Sequence, residues 1–195
     1  MGTQSRWAFL KQFLRDPKHI GALFPSCPAL AKMMVGQLKN NQMGVVAEFG
    51  PGTGAITPFI LERLPKGSTY FAVEFNETFA THLKKRFPSI TIVQDSIGNI
   101  DLILKKLGAK EIDGIISSIP WASFEEELQD QLLKKLYLAL APHGCFVTFT
   151  YLHALLLPSG RRFKKKIKQL FDVQISPVVW KNFPPAIVYR CIKRV

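Results

Sequence analysis

The residues able to do chemistry gather in a few short stretches. The first is Glu48-Phe49-Gly50-Pro51-Gly52-Thr53-Gly54, with glycine at every second position from Gly50. Glycine reaches backbone angles that other residues avoid and carries no Cβ, so a ligand can lie against the main chain there. Glu74 ends the apolar run Tyr70-Phe71-Ala72-Val73, twenty positions after Gly54. Dinucleotide folds place at this spacing a carboxylate that accepts hydrogen bonds from ribose hydroxyls, and one carboxylate has two acceptor oxygens for two vicinal hydroxyls. Asp95-Ser96 follows the run from Ile90 to Gln94, and Ser118-Ile119-Pro120-Trp121 follows the run that begins at Ile112. Asp95 is a second acidic candidate, although a lone acid after a strand is also a common turn residue or helix cap. Cys27, Cys145 and Cys191 are widely spaced and odd in number, with no Cys-x-x-Cys or Cys/His cluster. Neither a zinc site nor a disulfide framework is expected, and each cysteine reads as a small buried residue in a reducing compartment. No metal and no catalytic triad are expected.

Those stretches need elements to hold them. Val45 to Phe49 has the apolar, β-branched composition of a buried strand. Ala55 to Leu64 reads as a helix, with Pro58 tolerable in its first turn. Strand, glycine turn and helix open a nucleotide-cofactor fold. Before them, Ala29 to Leu38 reads as a helix, preceded by the two-proline loop from Gly21 to Pro28. After Glu74, Asn76 is expected to cap a helix reaching about Phe87. Ile90 to Gln94 is a third strand and Ile112 to Ile119 a fourth. Ser123 with Glu126 suggests a capping box for a helix ending near Leu140. Cys145 to Tyr151 is a fifth strand, and a basic helical face follows from Arg161 to Lys168. Phe171 to Trp180 and Ala186 to Lys193 complete the set. The link between those two is too short for a parallel crossover, so they are expected to form an antiparallel hairpin. The fold expected is α/β: a mostly parallel seven-stranded sheet of Rossmann type, with a C-terminal antiparallel hairpin and helices on both faces.

The chain has 195 residues, 47% of them hydrophobic, enough for one well-filled domain. Its 26 Lys and Arg against 14 Asp and Glu give a net charge of +12, which favours an anionic partner: nucleic acid or an anionic membrane surface. The N-terminus lacks the apolar core and small-residue cleavage site of a secretory signal. From Leu136 to Pro158 there is no Lys, Arg, Asp or Glu, but Pro142-His143-Gly144 interrupts the run. It reads as a helix end, a turn and a buried strand, so no membrane span is expected. From Arg6 to Arg15 the spacing is helical: Trp7, Leu10, Phe13 and Leu14 share one face, and Lys11, Gln12 and Arg15 lie opposite. Such a helix can lie in a membrane interface or pack on a core.

Taken together, Glu48 to Gly54, Glu74, Asp95 and Ser118-Ile119-Pro120-Trp121 resemble the class I S-adenosylmethionine-dependent methyltransferases. The resemblance covers roughly residues 29–195, taken as the methyltransferase domain, with residues 1–28 as an N-terminal helix and membrane-proximal loop. It implies S-adenosylmethionine as cofactor. Glu48, Gly50, Gly52 and Gly54 would support its methionine end and Glu74 its ribose. Asp95, with Ser96 beside it, would lie near the adenine. Ser118, Pro120 and Trp121 would belong to the catalytic loop.

The N-terminal stretches Phe13-Leu14-Arg15-Asp16-Pro17, Gly21-Ala22-Leu23-Phe24-Pro25-Ser26 and Leu30-Ala31 narrow the resemblance to bacterial phospholipid N-methyltransferases. These act on phosphatidylethanolamine and its methylated products. That implies a phospholipid substrate and a cytoplasmic protein bound peripherally at the inner membrane face. The helix from Arg6 to Arg15 and the basic residues would hold it there, at about 1 kcal/mol per basic residue close to an anionic surface. Trp121 is then a candidate wall of an amine pocket, by cation–π attraction, or else a core aromatic. Tyr151 is a candidate to take or relay the amine proton or to bind the lipid phosphate. His153 and His19 are weaker candidates. The related ribosomal RNA adenine dimethyltransferases carry an Asn-x-Pro-Tyr type motif where this chain has Ser118-Ile119-Pro120-Trp121. They also carry a C-terminal helical RNA-binding domain, for which the length is expected to leave no room. An RNA adenine methyltransferase, with nucleic acid as partner, is the second reading. A nonenzymatic binding module on the same fold is the third.

Overall fold

The computed structural model describes residues 26–38 and 43–194. The segment from Arg6 to Arg15, His19 and most of the loop before Pro28 lie outside the described residues. The described chain folds around one seven-stranded sheet of order β3-β2-β1-β4-β5-β7-β6. The strands are β1 (Val45–Phe49), β2 (Thr69–Glu74), β3 (Thr91–Gln94), β4 (Ile112–Ser117), β5 (Leu140–Tyr151), β6 (Phe171–Ile175) and β7 (Ala186–Lys193). β1 pairs in parallel with β2 and β4, β2 with β3, and β4 with β5. β7 runs antiparallel to both β5 and β6, so the expected hairpin is present. The order reverses between β1 and β4, and in open α/β sheets ligands bind at such a point, beyond the carboxyl ends of the strands.

Alternation along the strands sorts the core. Ala47 and Phe49 of β1, Ile115 of β4 and Phe146 of β5 face one way; Val46, Ile116 and Val147 face the other. The first set packs on α4 (Ile100–Leu107), α5 (Glu126–Ala139) and α6 (Pro158–Leu170), through Ile103, Leu104, Leu132, Leu133, Phe163 and Ile167. The second set packs on α1 (Pro28–Val35) and α2 (Thr57–Arg63), through Leu30, Met34, Ile56 and Ile60. α3 (Glu77–Arg86) covers Ala72 and Ile92 with Ala80 and Leu83. Helices thus cover both faces. Asn76 caps α3 as expected, its side chain accepting from the Phe79 N–H at 3.2 Å.

Four details depart from the sequence reading. α4 stands where no helix was assigned; Gly108 ends it in the left-handed conformation at φ 67°. Ser123 does not cap α5: it lies in the 3-10 turn Trp121–Ser123, and Glu125 holds the N-cap position with no side-chain bond. Glu126 and Glu127 in the first turn complement the helix dipole instead. β5 begins at Leu140 and not after the turn. Two steps along β4, Ile112 to Gly114, are matched by five along β5, Leu140 to Cys145. Residues around Pro142-His143-Gly144 are therefore extruded as a bulge, with His143 at φ 60°. Finally, β6 stops at Ile175, and residues 176–185 form a loop with one bridge, Val179 to Ala186.

Candidate active site

β1, β2, β3, β4 and β5 end at the same edge of the sheet, and the chemistry-bearing residues follow those ends. Gly50, Gly52 and Gly54 have φ of 67°, 58° and 76°, a region that favours glycine. Their surroundings differ. A Cβ on Gly50 would lie 2.8 Å from Ile119 Cγ1; one on Gly54 would lie 2.8 Å from Phe87 Cε2 and 2.9 Å from Leu83 Cδ2. Packing of the chain on itself explains both. At Gly52 no heavy atom of the described residues lies within 4 Å of that position. Gly52 therefore presents bare main chain to open space, as a cradle for a ligand requires.

Glu74 stands directly beneath. Its Oε2 accepts from the Gly52 N–H at 3.0 Å and its Oε1 from the Asn76 N–H at 2.8 Å. Burial pushes its carboxyl above the usual range, while the Asn76, Gly52 and Phe75 N–H groups pull the other way. Each oxygen keeps acceptor capacity for a further donor. A buried carboxylate fixed by two main-chain donors suits a neutral diol. These features fit a nucleoside with a free ribose.

Asp95 is next to Glu74, its N–H donating to the Glu74 carbonyl at 3.2 Å. Asp95 Oδ1 accepts from the Ser96 N–H at 2.7 Å and from Asn99 Nδ2 at 2.8 Å. Ser96 is buried and its Oγ accepts from the Gly98 N–H at 3.1 Å. Both side chains brace the turn after β3, and Asp95 remains half-exposed beside Glu74.

Glu48 does not face the opening. It has no exposed surface; Oε2 accepts from Thr57 Oγ1 at 2.8 Å and from the Tyr70 hydroxyl at 2.5 Å. It joins β1, α2 and β2 behind the glycine turn. Burial outweighs these bonds and raises its carboxyl to about 7. Its Oε1 is buried with no hydrogen-bond partner among the described residues. Direct support of a cofactor, implied by the resemblance, is corrected here to support of the turn.

Ser118 and Ile119 lie against the turn: the Ser118 N–H donates to the Phe49 carbonyl at 3.0 Å, and Ile119 touches Gly50. Pro120 follows them as the N-cap of the 3-10 turn Trp121–Ser123. Trp121 turns inward. It is 2% exposed, stacks on Phe163 with centroids 6.2 Å apart and meets Phe124 and Phe146 edge-on. Its indole N–H donates to Ser117 Oγ at 3.0 Å. With its faces occupied it is a core aromatic, and the amine-pocket alternative is corrected. Ser117 and Gln129 were missed in the sequence. Ser117 Oγ also accepts from the Ile119 N–H at 3.3 Å, and Gln129 Nε2 donates to the Trp121 carbonyl at 2.7 Å. Both are fully buried polar residues that fix this loop. A polar residue on the apolar face of α5 was the available signal for Gln129.

Tyr151 ends β5 at the same edge, half-buried, with Phe149 edge-on at 5.5 Å and His153 stacked at 5.6 Å. Burial raises its phenol above 10. It keeps its proton at neutral pH and can donate to an anion, but it is not a proton acceptor. His153 is exposed. Among the described residues no group of three or more His, Cys, Asp or Glu could hold a metal.

No family model matches the chain. An ornithine lipid N-methyltransferase of Singulisphaera acidiphila is 30% identical over 186 residues, spanning 94% of this chain and 93% of the relative. A ribosomal RNA small subunit methyltransferase A of Chlorobium phaeobacteroides is 25% identical over 105 residues, 54% of this chain and 37% of its own length. The fold matches that of the O-methyltransferase TomG of Streptomyces achromogenes, solved in complex with S-adenosylmethionine, over all of both chains. The TM-score there is 0.63 at 15% identity. A relative matched along nearly the whole chain, with the glycine turn and Glu74 arranged as described, places this chain in the class I S-adenosylmethionine-dependent methyltransferases.

Proposed function

We propose that the chain methylates the amine of a membrane lipid, phosphatidylethanolamine and its methylated products, at the inner face of the cytoplasmic membrane. The observation that carries this is the likeness, along 94% of the chain, to a relative named for methylating ornithine lipid. The amine-bearing headgroup, and not one particular lipid, is what that likeness supports. The +12 charge supports an anionic surface, and the segment from Arg6 to Arg15 is the N-terminal element proposed to lie on it.

In this reading the bare main chain at Gly52 lies under the methionine end of the cofactor. Glu74 accepts from the ribose hydroxyls, and Asp95 lies beside the adenine. S-adenosylmethionine supplies an electrophilic methyl group on a sulfonium. The work left to the chain is alignment: an unprotonated amine must arrive in line at near-attack distance. Ser118 and Pro120 flank Ile119, which packs on Gly50, and would line that approach. The Tyr151 hydroxyl, kept protonated, donates to the lipid phosphate. The amine itself must lose a proton before attack, and solvent takes it in preference to Tyr151.

A second reading, methylation of RNA adenine, draws on the charge and on the ribosomal RNA relatives. One assay separates the two. Methyl-tritiated S-adenosylmethionine is incubated with the protein and, in parallel, with phosphatidylethanolamine vesicles, ornithine lipid vesicles and ribosomal RNA. Label in the chloroform phase is the expected result. Label on RNA, with none in either lipid, overturns the proposal.

A further inference from the structure

Far from the cofactor turn in sequence, but at the same edge of the sheet, the chain leaves large apolar side chains in solvent. Trp180 is 72% exposed, Phe183 75%, Leu156 72% and Leu157 50%. Two segments carry them, the 3-10 turn Leu152–Leu156 with Leu157 and the loop of residues 176–185. The two segments are fastened together. Tyr151 pairs with Ala186, and the Leu152 N–H donates to the Pro185 carbonyl at 2.9 Å. β5 runs parallel to β4, so its end at Tyr151 lies at the edge where the glycine turn and Glu74 also stand.

The loop is built to hold this shape. Asn182 is buried at its centre: its Nδ2 donates to the Pro184 carbonyl at 2.8 Å, and its N–H donates to the Val179 carbonyl at 3.2 Å. Asn182 Oδ1 also accepts from the Cys27 N–H at 3.1 Å, which ties the loop to the residue before α1. Among the described residues, packing does not account for a loop that buries Asn182 and presents Trp180 to water.

The surrounding charge says what covers it. Residues 131–195 contain a single acid, Asp172, against twelve Lys and Arg. Lys181 lies exposed between Trp180 and Phe183. Arg161, at the start of α6, is exposed and donates from Nε to the Leu155 carbonyl at 3.4 Å. Apolar tips flanked by cations match a bilayer with anionic headgroups: the tips enter the acyl boundary and the cations meet the phosphates. Trp is well suited to that depth, being apolar in body with one polar N–H.

We infer that Leu156, Leu157, Trp180 and Phe183, rimmed by Arg161 and Lys181, form a membrane-docking surface. It seats the cofactor edge of the sheet against an anionic bilayer, independently of the N-terminal segment. The inference rests on the lipid reading of the site, and it adds a consequence: the headgroup is taken from the bilayer plane at the edge where Gly52 opens.

The test uses the full chain with Trp7→Phe. Of the three tryptophans, Trp121 is in the core, which leaves Trp180 as the solvent-exposed emitter. On vesicles of phosphatidylethanolamine and phosphatidylglycerol, Trp180 emission should move to shorter wavelength and be quenched by brominated acyl chains. Trp180→Ser combined with Leu156→Ser should bind those vesicles about tenfold more weakly or worse, with unchanged S-adenosylmethionine affinity. Emission that stays solvent-like on bound vesicles, or equal vesicle binding by the double variant, overturns the inference. So does a shift that needs no lipid and grows with protein concentration, which assigns the patch to a second copy, or one produced by RNA and not by vesicles. A short-chain aminolipid dispersed as monomers keeps the two claims apart. If it is methylated while Trp180 stays aqueous on the bilayer vesicles, docking fails and the substrate reading stands. If Trp180 is quenched but no aminolipid is methylated, the docking surface stands and the substrate reading fails.

Discussion

Glu74 and Glu48 are both buried acids, and their partners give them opposite tasks. Glu74 is held by two main-chain donors with acceptor capacity to spare, so its removal should be felt by the cofactor. Glu74→Ala is expected to weaken S-adenosylmethionine binding by about 10- to 100-fold, the worth of hydrogen bonds to a charged group. Calorimetry measures this, and a retained far-ultraviolet spectrum shows that the fold survives. Glu48 governs stability instead. Its carboxyl is raised from 4.5 to about 7 by burial. Between those values the folded chain keeps a proton that the unfolded chain has released. Its contribution is therefore full below about 4.5, falls as pH rises toward 7 and is flat above, a change of order 3 kcal/mol. Glu74 acts in the same direction. Glu48→Gln removes the Glu48 share, so its urea midpoint should gain on the parent's as pH rises from 5 to 8 (roughly the span of that titration). Equal slopes for both chains would contradict the assignment. At this scale the sequence was half legible. Spacing marked Glu74, but the same acidic side chain at position 48 was read as a cofactor contact, because spacing does not report which face of a strand meets Thr57 and Tyr70.

The glycine turn and the loop after β4 act as one element, joined by Ile119 against Gly50. Substitutions along the turn should therefore split. Gly52→Ala has room for its methyl group and costs about 1–2 kcal/mol for the left-handed conformation, with loss of cofactor affinity. Gly50→Ala carries that same strain and also drives a methyl group to within 2.8 Å of Ile119, so it should destabilise the fold more. Guanidinium midpoints beside calorimetry check the split; a Gly50 variant as stable as the Gly52 variant would refute it. Trp121→Ala should cost about 3–5 kcal/mol as a core truncation, and Trp121→Phe much less. Loss of amine affinity in a fully stable Trp121→Ala protein would restore its place in a pocket. Strands with apolar composition were readable one by one, and the short link before β7 gave the hairpin. α4 was not assigned, although Ile100, Ile103, Leu104 and Leu107 fall at helical spacing before Gly108. The extruded Pro142-His143-Gly144 was read as a turn because its residues suit both; only the register with β4 separates a bulge from a strand start.

The whole molecule is a basic body whose cofactor edge also carries its exposed aromatic tips. Composition gave the charge, and alternating strands and helices gave the layers, but no periodicity in residues 176–185 foretold a loop that presents Trp180. Among the described residues no helix is long and apolar enough to cross a membrane. Deleting residues 1–18 should lower binding to anionic vesicles more than it lowers cofactor affinity, as cosedimentation and calorimetry would show; equal vesicle binding would remove that segment from the account. Raised salt should weaken binding of the parent chain to anionic vesicles, because the basic residues act at a screened surface. The claim on which the rest depends is that the methyl group goes to a lipid amine. Its most direct measurement is headgroup mass spectrometry of lipids from bacteria producing the parent chain or its Glu74→Ala variant. The expected result is aminolipids heavier by one or more methyl groups, located in the headgroup, with the parent chain alone. Unchanged lipids together with newly methylated adenine in ribosomal RNA would contradict it.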